Sequence, residues 1–218
     1  MDTPTDAWGI ILAGGLSRRL GRDKAMEPLA VEPLLHRVIR RLSEVTAGTV
    51  VVVNQAARAD ELALSSNAGV AVDVYPDSGS LGGIFTGLTA IEAQWGVVVA
   101  CDMPFLNVDL FRHLLASRDG FDAVVPEVDG RPEPTHAAYS KACLPYIEPY
   151  LKAGDLKIAR FFDEVRVNYI PQAEVETLDP ELLSFFNVNT QQDLDRATAL
   201  VTERESPPGD RLRASKVD

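Results

Sequence analysis

Short apolar runs alternate with stretches of helical spacing through the first 125 residues of the chain. The apolar runs predict strands at Trp8–Ala13, Thr49–Val53, Val70–Val74, Gly96–Cys101 and Asp122–Val125. Between them, apolar positions recur every three or four residues and predict helices at Pro33–Val45, Ala57–Ser65, Ile84–Ala93 and Leu106–Ala116. Continuously apolar strands joined by helices predict an α/β fold, a Rossmann-like three-layer sandwich around a mostly parallel sheet.

The pattern is looser in the second half, where antiparallel strands and substrate-facing loops are expected. Strands are predicted at His136–Tyr139, Val165–Ile170 and Phe185–Val188, and helices at Ala142–Leu151, Lys157–Asp163 and Thr190–Val201. Residues 203–218 contain two prolines and few large apolar side chains, which is typical of a mobile tail. Residues 1–202 are therefore predicted to form a single domain.

Composition narrows the class of protein without identifying it. The 218 residues are 46% hydrophobic and have a formal net charge of −11, which disfavours a broad nucleic-acid-binding surface. Cys101 and Cys143 are expected to be buried free thiols. Met1–Asp6 does not resemble a secretory signal, and no apolar run reaches the ~20 residues of a membrane span. We therefore expect a soluble, cytoplasmic protein.

The segment from Leu12 to Lys24, directly after the first strand, concentrates glycine and positive charge. It contains four basic residues and one acidic residue, a local excess of three positive charges in an acidic chain. Gly14, Gly15 and Gly21 allow close backbone approach to a ligand, and arginine forks match phosphate oxygens. The segment matches neither of the two common phosphate-binding motifs, GxxxxGK[ST] and GxGxxG. The alternative interpretation is therefore a surface turn whose arginines are solvated. Its place after a parallel strand favours a phosphate-binding loop.

A second candidate is Asp102, which ends the apolar strand Gly96–Cys101. A carboxylate at this position suits Mg²⁺, a hard cation that favours carboxylate and phosphate oxygens. The alternative for an aspartate after a strand is a turn or a helix N-cap. By residue type and position alone, this turn or cap interpretation is the more common one.

Residues Leu12 to Lys24 have the form LAGG-x-S-x-R-x-G-x-DK. This form resembles the signature loop of the nucleotidyltransferases of the nucleotide-diphospho-sugar transferase superfamily, and the MobA family of molybdenum cofactor guanylyltransferases in particular. Relatives that transfer cytidylyl groups tend to have LAAG, so Gly15 points to guanine. Cys101-Asp102-Met103-Pro104 is similar to the metal-binding segment of the family.

The resemblance implies two groups of site residues. Those expected to contact GTP are Leu12, Ala13, Gly14, Gly15, Lys24, Asn54, Asp77, Gly82 and Asp102. Those expected on the molybdopterin side are Thr135, His136, Asn187 and Asn189. By residue type alone, Asn54 is a strand-end turn residue, and Asn189 and Thr190 are helix-capping residues.

The implied reaction is attack by the terminal phosphate of molybdopterin on the α-phosphorus of GTP, with release of pyrophosphate. Asp102 would hold Mg²⁺, and Lys24 with Arg18 or Arg19 would stabilise the leaving group. The nucleophile is already an anion, so no strong base is needed, and His36 and His113 are expected to be ordinary helix residues. Proteins that donate or receive the cofactor are expected partners. The alternatives are a relative that uses CTP or a sugar phosphate, and a non-catalytic nucleotide-binding module.

Overall fold

Strands and helices alternate along the part of the chain that the computed structural model describes, residues 6–14, 24–62, 64 and 68–205. The strands are β1 Ala7–Leu12, β2 Pro28–Leu29, β3 Glu32–Pro33, β4 Gly48–Val53, β5 Ala68–Val72, β6 Trp95–Ala100, β7 Ala123–Val128, β8 Arg131–Pro132, β9 His136–Ser140 and β10 Val167–Ile170. The α-helices are α1 Leu34–Leu42, α2 Ala57–Glu61, α3 Gly79–Ala90, α4 Val108–Ala116, α5 Leu144–Ala153, α6 Gln172–Leu178 and α7 Gln191–Glu205. Shorter 3-10 segments lie at Lys24–Met26, Lys141–Cys143, Ile158–Glu164 and Leu183–Phe185.

One large sheet organises these elements in the order β10-β7-β9-β6-β1-β4-β5, with β8 paired to β7. β1 pairs in parallel with both β4 and β6, whereas β9 runs antiparallel to its neighbours β6 and β7. The antiparallel strand lies in the second half of the chain, as predicted. A separate antiparallel pair, β2 with β3, precedes α1 and was not predicted, because each strand has only two residues.

Two helical layers cover the two faces of the sheet, which confirms the predicted three-layer sandwich. On one face α1 and α4 pack residues such as Leu35 and Phe111 against the sheet. On the other face α3 and α5 contribute Leu88 and Ile147 to a second core. A smaller core lies between α7 and the β2–β3 pair and includes Leu34. The apolar strands are buried from both sides, which explains their nearly continuous apolar sequence.

Glycines allow α3 to pack closely on the central strand. A Cβ added at Gly87 would overlap Cγ2 of Ile10, and one at Gly83 would lie 2.9 Å from Cδ2 of Leu12. Both side chains belong to β1, so the absence of side chains at 83 and 87 sets the distance between helix and sheet. This helix therefore has little tolerance for added volume on its inner face.

Three predicted elements differ from the structure. The predicted strand Phe185–Val188 is wrong, because Phe185 ends the 3-10 turn Leu183–Phe185 and residues 186–188 belong to neither sheet of the described structure. α3 starts at Gly79 rather than at Ile84, since glycines lowered its apparent helical character. Lys157–Asp163 forms a 3-10 segment, Ile158–Glu164, rather than an α-helix.

Several other predictions from residue type can be compared directly with the structure. Asn107 caps α4 as predicted, and its side chain accepts hydrogen bonds from the amides of Asp109 and Leu110 at 2.9 and 3.0 Å. Both cysteines are free thiols, but only Cys143 is buried and Cys101 is partly exposed. α7 runs to Glu205, three residues into the predicted tail, and residues 206–218 lie outside the described part of the chain.

Candidate active site at the carboxyl edge of the sheet

The carboxyl ends of β1 and β6 lie side by side at the point where the chain changes direction across the sheet. From β1 the chain moves outward through β4 and β5, then returns to β6 on the other side of β1. The amide of Cys101 donates to the carbonyl of Leu12 at 3.1 Å, extending the pairing beyond the strands. Open α/β sheets bind ligands at such a switch point. The two strongest predicted motifs, the glycine loop and Asp102, therefore begin at the same crevice.

Gly14 and Asn54, both predicted to contact the nucleotide, are in direct contact. A Cβ at Gly14 would overlap Oδ1 of Asn54 and would lie 3.1 Å from its Cγ. Asn54 follows β4, and the amide of Ala13 donates to the carbonyl of Val52 on that strand at 2.9 Å. Only glycine at position 14 leaves room for the asparagine amide beside the start of the loop.

Gly82 lies inside α3, whereas the sequence predicted that Gly82 and Gly83 would precede this helix. A Cβ at Gly82 would lie 3.0 Å from the carbonyl oxygen of Tyr75 and 3.2 Å from Oδ2 of Asp73. The glycine thus allows the segment after β5 to lie against the first turn of α3. This contact keeps residues 73–78 at the same edge of the sheet as the ends of β1 and β4.

Asp77 occupies an exposed, left-handed position in that segment, with φ of 64°. The segment is organised by Asp73, whose Oδ1 accepts from the amide of Tyr75 at 3.0 Å and from Oγ1 of Thr86 at 2.8 Å. Oγ1 of Thr86 accepts in turn from the amide of Val74 at 3.1 Å. Sequence analysis missed Asp73 because it placed this residue inside the predicted strand Val70–Val74, whereas β5 ends at Val72 and Asp73 directly follows it.

Asp102 is partly exposed at the end of β6, and its backbone holds the segment that precedes α7. Its carbonyl accepts from the amide of Val188 at 2.9 Å. The side chain of Asn187 donates through Nδ2 to the carbonyl of Phe185 at 3.1 Å, which fixes its orientation. The structure therefore brings the predicted metal residue and the 187–189 segment together.

The capping role of Thr190 is borne out. Its Oγ1 accepts from the amide of Asp193 at 3.2 Å, and Oδ2 of Asp193 accepts from the amides of Asn189 and Thr190 at 3.0 and 2.8 Å. This reciprocal arrangement is a capping box at the start of α7. The backbone of Asn189 is thus part of the helix cap.

His136 is fully buried, so its imidazole lies beneath the site rather than in it. Its ring stacks on Phe111 with centroids 4.5 Å apart and contacts Phe185 at 4.6 Å. Within the described structure neither ring nitrogen has a hydrogen-bond partner. Burial lowers the pKa of His136 to about 3, so the ring is neutral at physiological pH. Thr135, one residue earlier, is partly exposed and lies just before β9.

Comparison with known proteins agrees with this geometry. A family model described as "MobA-like NTP transferase domain" matches residues 9–168, most of the chain. The chain belongs to this family. It is similar to the molybdenum cofactor guanylyltransferase of Desulfosudis oleivorans, with 36% identity over 88% of this chain and 95% of that protein. The corresponding protein of Vibrio cholerae is 32% identical over 90% of this chain and 94% of its own length.

A solved structure also resembles this MobA-like chain throughout. The crystal structure of molybdopterin-guanine dinucleotide biosynthesis protein A from Archaeoglobus fulgidus superposes with a TM-score of 0.79 at 31% identity. The match covers 90% of this chain and 99% of that one. These findings confirm the predicted family, the fold class and the assignment as an enzyme, a nucleotidyltransferase.

Part of the family's signature loop lies outside the described residues. Gly15, Arg18 and Arg19 fall in the gap between residues 14 and 24, so their predicted roles stay predictions. Of Lys24 only the backbone is described, and it begins the 3-10 turn Lys24–Met26. Among the described helices, none combines the length and apolar character that a bilayer crossing requires.

Acid should destabilise the protein through His136. Its folded-state pKa of about 3 lies below the ordinary value of 6.5, so below pH 6.5 the unfolded chain binds a proton that the folded chain does not. Stability is therefore complete above pH 6.5 and is lost as the pH falls. Between pH 7.5 and 5 this linkage amounts to about 2 kcal/mol of unfolding free energy. Urea unfolding of the parent protein and of His136→Phe at both pH values measures it.

The phenylalanine variant keeps an aromatic ring between Phe111 and Phe185 but has no titrating group. We expect its loss of stability over this range to be smaller than that of the parent by about 2 kcal/mol. Equal losses in the two proteins would contradict the buried, neutral state of His136.

Proposed function

We propose that this MobA-like chain transfers GMP from GTP to the terminal phosphate of molybdopterin, forming a guanine dinucleotide cofactor and releasing pyrophosphate. The observation that supports this most directly is that the start of the glycine loop, at Leu12–Gly14, lies beside the segment of Asp102 at the switch point between β1 and β6. Relatives that match nearly the whole chain are named molybdenum cofactor guanylyltransferases, which supports the same reaction. A cytoplasmic location accords with this role.

The nucleotide would lie across the ends of β1, β4 and β6. Gly14, Asn54 and Gly82 would line this binding crevice, and the contact between Gly14 and Asn54 supports the assignment of that pair. The proposed nucleotide contacts are Leu12, Ala13, Gly14, Gly15, Lys24, Asn54, Asp77, Gly82 and Asp102. Asp77 is exposed at the outer end of this edge, and Asp73 holds the segment in place.

The residues fit a metal carried by the nucleotide. Asp102 is a partly exposed residue just beyond the end of β6, and among the described residues no group of three His, Cys, Asp or Glu is arranged to hold a metal. Mg²⁺ is commonly bound through one or two carboxylates together with substrate phosphates. When bound, such an ion neutralises charge on the phosphates and aligns them for displacement.

The protein's own contribution to the transfer is positioning and charge. An oxygen of the molybdopterin phosphate forms a bond to the α-phosphorus, the bond from that phosphorus to the α,β-bridging oxygen breaks, and pyrophosphate leaves. Lys24 and Arg18 or Arg19 would neutralise the departing charge. Because the nucleophile is already an anion, no side chain has to remove a proton from it. The geometry is consistent with this, since the ring of His136 is fully buried and does not reach the surface.

The pterin side would be formed by Thr135, Asn187 and Asn189. The hydrogen bond from the amide of Val188 to the main-chain carbonyl of Asp102 supports this assignment, because Asn187 and Asn189 flank Val188. His136 would support this surface from below, since Phe185 contacts its ring and accepts from Asn187. The pterin phosphate could thus approach from the side of the crevice opposite to Asn54.

Nucleotide choice tests the proposal against its nearest rival, a relative that uses CTP or a sugar phosphate. A ligand that binds only the folded state raises apparent stability in proportion to the logarithm of its excess over Kd. In a thermal-shift series of GTP, CTP, ATP and UTP with Mg²⁺, GTP should give the largest shift. A larger shift with CTP would favour the rival. Pyrophosphate release on adding molybdopterin would exclude a non-catalytic nucleotide-binding module.

A further inference from the structure

We infer that Arg37 and Arg41 act as positioning residues for Asp102, by fastening the loop 104–107 to helix α1. This inference rests on the proposed function, because it assigns Asp102 to the metal and nucleotide. Neither arginine was singled out by the sequence, where both look like surface charges on an amphipathic helix. In the structure both donate to main-chain carbonyls of the loop that directly follows Asp102.

Arg37 makes the more deeply buried of the two connections. Its side chain is only 8% exposed, and Nε donates to the carbonyl of Pro104 at 3.1 Å. Nη1 contacts Oε1 of Glu32 at 3.4 Å, so the buried charge has a counterion. The guanidinium also lies 5.9 Å from the ring centroid of Phe105. A charge buried to this degree is retained only with such partners.

Arg41, one helical turn further along α1, makes the second connection. Its Nε and Nη2 both donate to the carbonyl of Leu106, at 3.2 and 3.1 Å. Nη1 pairs with Glu44 at 3.2 Å. Two donors in one rigid guanidinium hold a single carbonyl in a defined direction, which a lysine with one flexible ammonium cannot reproduce.

The arginine hydrogen bonds act beside the packing of this loop, whose Met103 and Leu106 side chains are buried in the core, and they lie on the side of the loop that borders a pocket. A pocket of about 240 Å³ lies between α1, the loop and α7, lined among others by Arg37, Arg41, Phe105 and Leu106. The arginines reach the loop across the edge of this pocket. The carbonyls that they hold lie two and four residues after Asp102, so they set the path by which the chain leaves the candidate metal site.

The same helix follows the first loop in sequence. α1 begins ten residues after Lys24, and the amide of Leu34 at its start donates to the carbonyl of Glu27 at 3.0 Å. α1 therefore connects the segment that would bind phosphates with the segment that would bind the metal. Loosening the arginine contacts should weaken the cooperation between Mg²⁺ and GTP more than it weakens the fold.

The test compares Arg41→Gln and Arg41→Lys with a matched control, Arg112→Gln. Arg112 is an exposed α4 residue that forms an ion pair with Asp109 one helical turn away, so its substitution removes the same charge without removing a hydrogen bond to the loop. In the ligand-free protein, amide hydrogen exchange over 103–107 should be about tenfold faster in Arg41→Gln, intermediate in Arg41→Lys and unchanged in Arg112→Gln.

The second readout is the gain in GTP affinity that Mg²⁺ provides, taken as the ratio of the calorimetric Kd without and with Mg²⁺. We expect this ratio to fall about fivefold to tenfold in Arg41→Gln, with partial recovery in Arg41→Lys and no change in Arg112→Gln. Unchanged exchange, or faster exchange with an unchanged ratio, would overturn the inference. The proposed reaction can fail separately. If Mg²⁺ tightens GTP binding to the parent protein but no pyrophosphate is released when molybdopterin is added, the reaction is refuted and the positioning role of the arginines is not.

Discussion

Replacing Asp102 with asparagine is expected to lower turnover by at least about 100-fold, the usual cost of removing one group that stabilises transition-state charge. Asp102 would be a carboxylate ligand of the proposed metal, so the neutral amide removes a charge that attracts it. The fold should survive, because the contact with Val188 uses the Asp102 carbonyl rather than its carboxylate. Pyrophosphate release measures turnover, and the melting temperature reports on folding.

Asp109→Asn provides the matched control for the loss of one negative charge. Asp109 lies seven residues further along the chain, exposed in the first turn of α4, where it pairs with Arg112. We expect its turnover to stay within about twofold of the parent, since exposed pairs contribute little. Turnover near that of the parent in Asp102→Asn would contradict the metal-binding role of Asp102.

Adding one methyl group at Gly87 is expected to destabilise the protein by about 2 kcal/mol, which is within the usual range for overpacking. In an ordinary exposed helix, alanine in place of glycine adds about 1 kcal/mol of stability instead. Here the new Cβ would overlap Cγ2 of Ile10, a fully buried residue at the centre of β1. Urea unfolding of Gly87→Ala gives the change directly.

Two further variants identify the cause of that loss. Ser80→Ala, at an exposed position on the same helix, should change the unfolding free energy by less than about 0.5 kcal/mol. Ile10→Ala removes the methyl group that Gly87→Ala would meet, so the double variant should be more stable than the sum of the single effects by about 1 kcal/mol or more. Additive effects would mean that the contact between α3 and β1 is not the cause.

Much of the sheet was predictable because its strands are buried on both faces. Runs such as Val97–Val99 have no polar position, and the turn and cap residues between them define the connections. Asn107 was recognisable as a cap from its type and place alone. The failures involve short or glycine-rich segments. Residues 185–188 have a strand-like composition, but they form no strand in the structure. The amide of Val188 instead donates one hydrogen bond to the carbonyl of Asp102.

From the sequence alone, most of the longer strands and helices could be predicted, because local composition and spacing encode them. The resemblance of residues Leu12 to Lys24 indicated the family, and the two motifs that begin at the switch point were recognised before the fold was known. Only the tertiary structure decided which neighbouring residues face the crevice. His136 adjoins Thr135 in a predicted site segment, yet the contacts of its ring with Phe111 and Phe185 bury it beneath the surface. Tertiary structure also gave positioning roles to three residues that the sequence did not indicate. These roles rest on hydrogen bonds to residues distant in sequence, made by Asp73, Arg37 and Arg41. Such contacts depend on the path of the folded chain and leave no periodic signal in the sequence.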